Sequence, residues 1–143
     1  MTSVPPNLFF KILTRIHIFL YRNSKGKIWN KMLGMPVLLL TTTGRKSGQP
    51  RTTPLVYVRD DNDYIIAASK GGSDAHPAWY FNLEATPEVR VEIGDQAFAA
   101  RVTITEGKER DQLYERFKSS GANFATYEQL APRTIPVVRL TPV

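Results

Sequence analysis

The sequence contains no cysteine and only two histidines, His17 and His76. Disulfides, thiolate metal ligands and cysteine nucleophiles are therefore excluded. Neither histidine has a partner at metal-ligand spacing, so we expect no metal site. No arrangement of Ser, His and a carboxylate indicates hydrolysis, and an enzyme of this sequence would depend on a cofactor for its chemistry.

Acidic residues are absent from the first 59 positions, and Asp60 is the first of them. The formal net charge of +6 is uneven, because residues 1–70 carry +8 and residues 71–143 carry −2. This asymmetry predicts a positive field over one part of the surface. It favours an anionic partner, which could be a phosphorylated cofactor, a nucleic acid or an acidic membrane.

The N-terminal segment lacks the pattern of a secretory signal, so we expect a cytoplasmic protein. The segment Asn7–Arg22 is predicted to be an amphipathic helix, too short and too charged to cross a bilayer. It either lies on an anionic membrane, at the inner face of the cell membrane, or covers one end of the fold. We place the helical region at residues 1–25 and a single domain at residues 26–143. The apolar side of the helix carries Leu8, Ile12, Ile16, Phe19 and Leu20, and its cations, continued by Lys25 and Lys27, are Lys11, Arg15 and Arg22.

Six further segments have the composition and turn boundaries of strands. They predict a mainly β, α+β domain, an antiparallel barrel of about six strands with peripheral helices. The first three strands are expected to form a meander. The strands are Val37–Thr43, Thr52–Arg59, Tyr64–Ser69, Glu88–Ile93, Ala97–Thr105 and Ile135–Leu140, and the helices are Pro77–Ala85, Lys108–Ser119 and Asn123–Leu130.

The turn from Gly44 to Arg51 predicts an anion-binding loop. Its glycines let backbone N–H groups converge, while Arg45 and Lys46 supply donors for phosphate oxygens. It is not a Walker loop, because the required order of glycines, Lys and Ser is missing. The alternative is that these cations only solubilise the tip of a hairpin. A short helix follows later in the chain, and its Trp79 and Asn82 either flank a flat bound ring or pack in the core.

Taken together, these segments resemble the deazaflavin-dependent nitroreductase family, whose members use the reduced coenzyme F420. The resemblance extends over most of the chain. It includes His17 with residues 20–22, residues 36–48, Arg51 with Pro54 and Leu55, residues 69–72, Pro77, Trp79, Asn82 and Leu83, and residues 135–138.

The resemblance implies a split β-barrel like that of the flavin reductases. It also implies how F420 is bound, with its phosphate and acidic oligoglutamate tail on the hairpin and its deazaflavin against β-strands and a short helix. The implied cofactor-binding residues are Arg45, Lys46, Ser47, Arg51, Pro54, Leu55, Ala67, Ser69, Lys70, Gly71, Ala78, Trp79 and Asn82.

The implied reaction is hydride transfer from the reduced deazaflavin to an acceptor such as menaquinone. Ser69 and Tyr127 are the candidates for a catalytic hydroxyl that stabilises charge on the acceptor oxygen, and Val56, Phe124 and Tyr127 are expected to contact the acceptor. Family members that activate nitroimidazoles have several tyrosines here, whereas this chain retains only Tyr127 and has Gly121 at another matching position. The resemblance therefore favours quinones over nitroimidazoles, in a protein that we expect to be monomeric.

Two other functions remain open from the residues. A nucleic-acid-binding barrel would fit the basic first half, but strands Val37–Thr43 and Thr52–Arg59 contain only Tyr57 as a stacking aromatic. We therefore expect no nucleic acid partner. The other alternative is the same barrel with FMN or haem in place of deazaflavin.

Overall fold

The computed structural model describes residues 6–121 and 123–143. Four helices surround a curled antiparallel sheet of eight strands within these residues. The helices are α1 (Pro6–Asn23), α2 (Ala78–Ala85), α3 (Gly107–Ser120) and α4 (Phe124–Leu130). The strands are β1 (Lys31–Met32), β2 (Met35–Thr43), β3 (Pro50–Val56), β4 (Val58–Asp60), β5 (Asp63–Ala67), β6 (Glu88–Ile93), β7 (Gln96–Ile104) and β8 (Val137–Pro142).

The sheet closes through a bend in the chain at Tyr57. Strand β3 precedes the bend and pairs with β2, whereas β4 follows it and pairs with β5. Between these ends the order is β2-β6-β7-β8-β5. The predicted barrel is therefore confirmed, but the middle strand of the predicted meander, Thr52–Arg59, is two strands that belong to opposite ends of the sheet.

Strand β2 is buried on both faces, which explains its apolar run from Val37 to Leu40. Leu38 and Leu40 face the inner core together with Trp79 and Leu83 of α2. Val37 and Leu39 point the other way, against Tyr21 of α1. A separate cluster under α3 and α4 covers β5 and β8, and its members include Ile65, Val137, Tyr114, Phe117 and Phe124.

Helix α1 is attached to the barrel near its C-terminal end. The Tyr21 hydroxyl donates to the Val37 carbonyl and accepts from the Gly94 N–H, both at 3.0 Å. Gly26 has φ of +77°, and a Cβ there would come within 2.4 Å of the Gly94 Cα. His17 donates from Nε2 to the Trp29 carbonyl at 2.8 Å, because a carbonyl can only accept. The helix is thus held by a close backbone contact as well as by side chains.

The apolar side predicted for this helix does not pack on the barrel. Leu8, Ile12, Ile16 and Phe19 are all exposed, and the barrel is contacted instead by the side carrying His17 and Tyr21. The helix therefore contacts the barrel through a side other than its apolar one, and the two alternatives for α1, membrane contact and cover of one end of the fold, stay predictions. At 3.6 residues per turn, the helix has a packed side, an exposed apolar side and a third side with Lys11, Arg15 and Arg22.

Candidate functional site

A groove of about 1100 Å³ lies between α1, the β2–β3 hairpin and the start of α2. Seven of the predicted cofactor residues line it, on segments distant in sequence. Sequence reasoning missed the wall contributed by α1. The predicted residues in the groove are Arg45, Lys46, Ser47, Arg51, Ala78, Trp79 and Asn82, and the unpredicted α1 residues include Lys11, Thr14, Arg15, Ile18 and Arg22.

The hairpin is held in shape by its own backbone and by Ser47. The Gly44 N–H donates to the Gln49 carbonyl and the Gly48 N–H to the Gly44 carbonyl, both at 2.8 Å. The Ser47 hydroxyl accepts from the Gln49 N–H at 3.1 Å and lies 3.4 Å from Nη2 of Arg51. These bonds fix the turn from which Arg45 and Lys46 project.

Helix α2 fixes the position of the hairpin through Asn82, whose amide is buried. Its Nδ2 donates to the Thr42 hydroxyl at 3.1 Å, and its Oδ1 accepts from the Arg45 N–H at 3.0 Å. The Arg45 guanidinium carbon also lies 4.6 Å from the centre of the Phe81 ring, within cation–π distance. Asn82 therefore positions the hairpin predicted to bind anions, and its direct contact with a cofactor stays a prediction.

The cations of the groove are unusual in lacking acidic partners. Lys11, Arg15, Arg45, Lys46 and Arg51 make no ion pair with any described residue, and no carboxylate is among the lining residues. Uncompensated like charges around a concave surface focus a positive potential into it. The groove therefore attracts anions.

Arg22 is the exception on the α1 wall. Its guanidinium forms two hydrogen bonds to the Glu92 carboxylate, at 2.9 and 2.7 Å, and a third at 3.4 Å to the Thr52 hydroxyl. The hydrogen bond with Glu92 is the main reason that the pKa of Arg22 is raised. Arg22 thus ties α1 to the sheet and has less capacity left for a ligand than the other groove cations.

Strand β3 carries the groove toward a second, apolar region. Within the described chain it pairs only with β2, so its other edge is open. Pro50 and Pro54 are tolerated on such an edge because proline lacks the N–H that a second neighbour would need. From Arg51 to Val56 the strand advances about 16 Å. Pro54 and Leu55, both predicted to lie along the deazaflavin, fall between the two regions.

The residues predicted for the acceptor come together at the far end of β3. Val56, Ala67 and Tyr127 pack against the cluster that contains Phe124. The Phe124 and Tyr127 rings have centroids 5.4 Å apart in an edge-on arrangement. Phe124 is itself fully buried, so it forms part of the interior of this apolar cluster. Their contact with an acceptor stays a prediction.

The predicted Ser69, Lys70 and Gly71 form a tight turn beside the apolar cluster. Lys70 and Gly71 have positive φ values of 45° and 64°. A Cβ on Gly72 would lie 3.0 Å from the Tyr127 Cα, so the turn sits directly on α4. Neither the Ser69 nor the Tyr127 hydroxyl hydrogen-bonds to a side chain or backbone group among the described residues.

Arg133 organises this turn and was not predicted. Its guanidinium donates to the carbonyls of Ala68, Ser69, Ser73 and Ala75 at 3.0 to 3.2 Å, and to Nδ1 of His76 at 2.8 Å. Burial, followed by the charge of Arg133, lowers the pKa of His76. No sequence signal could have indicated this role, because a single arginine in a loop has no periodicity and its partners are about 60 positions away.

The curled sheet, open strand edge and anion groove define a cofactor-binding split barrel. The crystal structure of HutZ, a haem protein from Vibrio cholerae, shares this fold at 17% identity, with a TM-score of 0.58 over 91% of this chain and 90% of that one. The structure of an F420-H2 dependent reductase is closer, at 39% identity and a TM-score of 0.68 over 73% of this chain and 93% of that chain. Another neighbour, described as a domain-swapped dimer, has 33% identity and a TM-score of 0.70 over 95% and 99% of the two chains.

The family model for F420H(2)-dependent quinone reductase matches residues 13–142. An F420H(2)-dependent quinone reductase of Mycobacterium tuberculosis is 41% identical over 133 residues, covering 90% of this chain and 89% of that protein. The chain therefore belongs to the F420H(2)-dependent quinone reductase family, and the resemblance to F420-using reductases is confirmed.

Proposed function

We propose that this protein binds reduced F420 in the groove and reduces a quinone at the apolar cluster. The observation that carries the proposal is that five cations of the groove have no acidic partner, and the groove no carboxylate, within the part of the chain that the structure describes. A phosphate and several carboxylates on one ligand would satisfy such a groove, so the residues present fit the coenzyme.

The hairpin would hold the anionic end of the coenzyme. Arg45, Lys46 and Arg51 bind phosphate oxygens by charge-assisted hydrogen bonds, and Ser47 keeps Arg51 in place. The open edge of β3 then leads from this end to Pro54 and Leu55, beside which the ring system would lie. When bound, reduced F420 supplies a hydride and a proton, which together convert a quinone to a hydroquinone.

The acceptor side of the site combines apolar contacts with free hydroxyls. Val56 and Tyr127 offer an apolar surface against which a quinone ring stacks, supported by Phe124. The hydroxyls of Ser69 and Tyr127 donate a hydrogen bond to the acceptor oxygen on which negative charge develops. We propose menaquinone as the physiological acceptor because Val56, Phe124 and Tyr127 form an apolar region that suits the ring of a lipid-soluble quinone.

The test is a titration with reduced F420, followed by deazaflavin absorbance and fluorescence, with and without menadione. We expect binding at micromolar coenzyme and oxidation only when menadione is present. Absence of binding at these concentrations defeats the proposal. A protein that is yellow as purified, or that shows a Soret band, would instead support the FMN or haem alternative.

We also propose that α1 rests on an anionic membrane surface, which would bring the site close to a lipid-soluble quinone. No described helix is long and apolar enough to cross a membrane. The side of α1 with Phe9, Ile12 and Ile16 is nevertheless exposed, and a second exposed apolar group follows at Ile28, Trp29, Met32 and Leu33. Exposed Lys25, Lys27 and Lys31 border this second group, as expected for contact with anionic headgroups.

Vesicle sedimentation tests this placement. We expect the protein to sediment with vesicles containing anionic lipid, and the variant Phe9→Ser/Ile12→Ser/Ile16→Ser to remain in solution. Leu130→Ser is the control, since Leu130 is even more exposed than these three residues but lies on α4. The proposal fails if the triple variant still sediments. If that variant also converts a dimer into a monomer, a second copy of the chain covers this side of α1 instead of lipid.

A further inference from the structure

We infer that α1 is part of the coenzyme site, with Lys11 and Arg15 binding carboxylates of the acidic tail that extends from the coenzyme phosphate. This inference rests on the proposed function and assigns the tail to a helix that sequence reasoning had given only to the membrane or to packing.

The placement of α1 is the first argument. Lys11, Thr14, Arg15, Ile18 and Arg22 all line the groove, and their spacing puts them on one side of the helix. The hairpin cations line the same groove. An anionic ligand held by the hairpin is therefore also within the field of α1.

The separation of charge from apolar surface is the second argument. At 3.6 residues per turn, Lys11 and Arg15 lie about 100° around the helix from Ile12 and Ile16. A helix resting on lipid through Ile12 and Ile16 would keep these two cations at its flank. The location of Lys11 and Arg15 is thus compatible with membrane contact through the apolar side, while the two cations themselves line the groove.

The partners of the α1 cations are the third argument. Arg22 is satisfied by Glu92, whereas Lys11 and Arg15 have no acidic partner among the described residues. Lys11 and Arg15 are four positions apart, so their like charges repel unless an anion lies between them. No part of the described chain supplies that anion.

The number of unpaired cations in the groove indicates the kind of anion. Lys11 and Arg15 lie about 6 Å apart along α1. They line the same groove as Arg45, Lys46 and Arg51, which also have no acidic partner among the described residues. A single phosphate can contact only part of this set. A flexible chain with a carboxylate at each unit can reach more of it, which matches the oligoglutamate tail of the coenzyme.

The experiment compares two forms of F420, one with its glutamate tail and one without, by titration of deazaflavin fluorescence. We expect Lys11→Gln/Arg15→Gln to weaken binding of the tailed form about tenfold and of the tail-less form less than twofold. The control Lys27→Gln/Lys31→Gln removes the same charge at exposed positions outside the groove, and it should change neither affinity by more than twofold. Thermal unfolding of both variants verifies that the fold is kept.

The outcomes separate the inference from the proposed function. If the unmodified protein binds neither form, the proposed function fails and the inference with it. If it binds both but the α1 variant loses the two forms equally, or loses neither, the inference alone is wrong. If the α1 variant loses binding to anionic vesicles while it retains the tailed coenzyme, the two cations serve lipid headgroups and the inference is likewise wrong.

Discussion

Cations on two sides of this barrel differ in whether they form ion pairs. Beside β4, β5 and β8, Arg139 contacts Asp60 and Asp63 at 2.9 Å each. On the neighbouring helix surface, Lys118 contacts Glu115 at 2.8 Å and Glu128 at 2.7 Å. In the groove, by contrast, Lys46 and the other hairpin cations have no acidic partner among the described residues.

This difference shows where, among the described residues, positive charge is left without an acidic partner. An exposed ion pair contributes little to stability, about 0 to 1 kcal/mol, so pairing on the far side has a small energetic effect. The pairing instead cancels most of the electrostatic field around Arg139 and Lys118, whereas the positive potential of the groove is not cancelled. The same difference is visible in the sequence, where no acidic residue occurs before Asp60.

The largest effect is expected from removing charge on the groove side. Lys46→Ala/Arg51→Ala should weaken F420 binding about 100-fold, because each charge-assisted hydrogen bond is worth about 1.5 kcal/mol or more and 1.4 kcal/mol is a factor of ten. Fluorescence titration measures the change, and the loss should be smaller at high salt.

The matched control removes two cations from the paired side, as Arg116→Ala/Lys118→Ala. Both of these side chains are engaged by acids, Asp60 for Arg116 and two glutamates for Lys118. We expect coenzyme binding to stay within about twofold. Comparable losses in the two double variants would show that net charge, rather than the groove, attracts the coenzyme.

The next effect is expected where α1 is attached to the barrel. Gly26→Ala places a Cβ against the Gly94 backbone at a positive φ, and we expect a loss of about 3 kcal/mol in the free energy of unfolding. Gly34→Ala is the control, because its φ of +74° is similar but no atom lies within 4 Å. It should cost only about 1 kcal/mol. Equal losses in urea denaturation would mean that backbone strain, and not the contact with Gly94, dominates.

A smaller effect is expected at the buried amide between α2 and the hairpin. Asn82→Leu leaves the Arg45 N–H and the Thr42 hydroxyl without their partner, and should lower the free energy of unfolding by about 2 kcal/mol. Adding Thr42→Val removes one of the two orphaned groups, so the double variant should be less destabilised than the two single losses together. Additive losses would show that the Asn82 and Thr42 side chains do not interact.

The smallest effect concerns pH. Because burial and Arg133 lower the pKa of His76 in the folded protein, the unfolded state binds a proton more readily. Stability should therefore fall as pH drops below about 6.5, the ordinary pKa of histidine. His76→Gln should reduce this acid-side loss, as measured by denaturant unfolding between pH 8 and pH 5. Parallel curves for the two proteins would exclude a contribution from His76.

Local features were predictable from the sequence because their causes are local. Helix α3 was expected at Lys108–Ser119 and spans Gly107–Ser120, since its periodicity and boundary residues lie within the segment itself. The hairpin between β2 and β3 followed in the same way from its glycines. The break at Tyr57 was not predictable, because the composition of the segment continues through it and only closure of the sheet decides where each half pairs.

Other features that depend on distant contacts were also not predictable from the sequence. Arg133 binds carbonyls about 60 residues earlier in the chain, and Asn82 binds groups about 40 residues earlier. The side of α1 that meets the barrel could not be predicted either, because periodicity describes which residues share a side but not which side is covered. In this protein the most apolar side is the exposed one.

The sequence by itself determined that one half of the chain is basic, that Gly44 to Arg51 forms a cationic turn and that the family is one of F420-using reductases. Only the tertiary structure decided which cations are paired and which face the groove. Ion pairing depends on distances of a few ångströms between residues far apart in the chain, and those distances exist only after the sheet has closed.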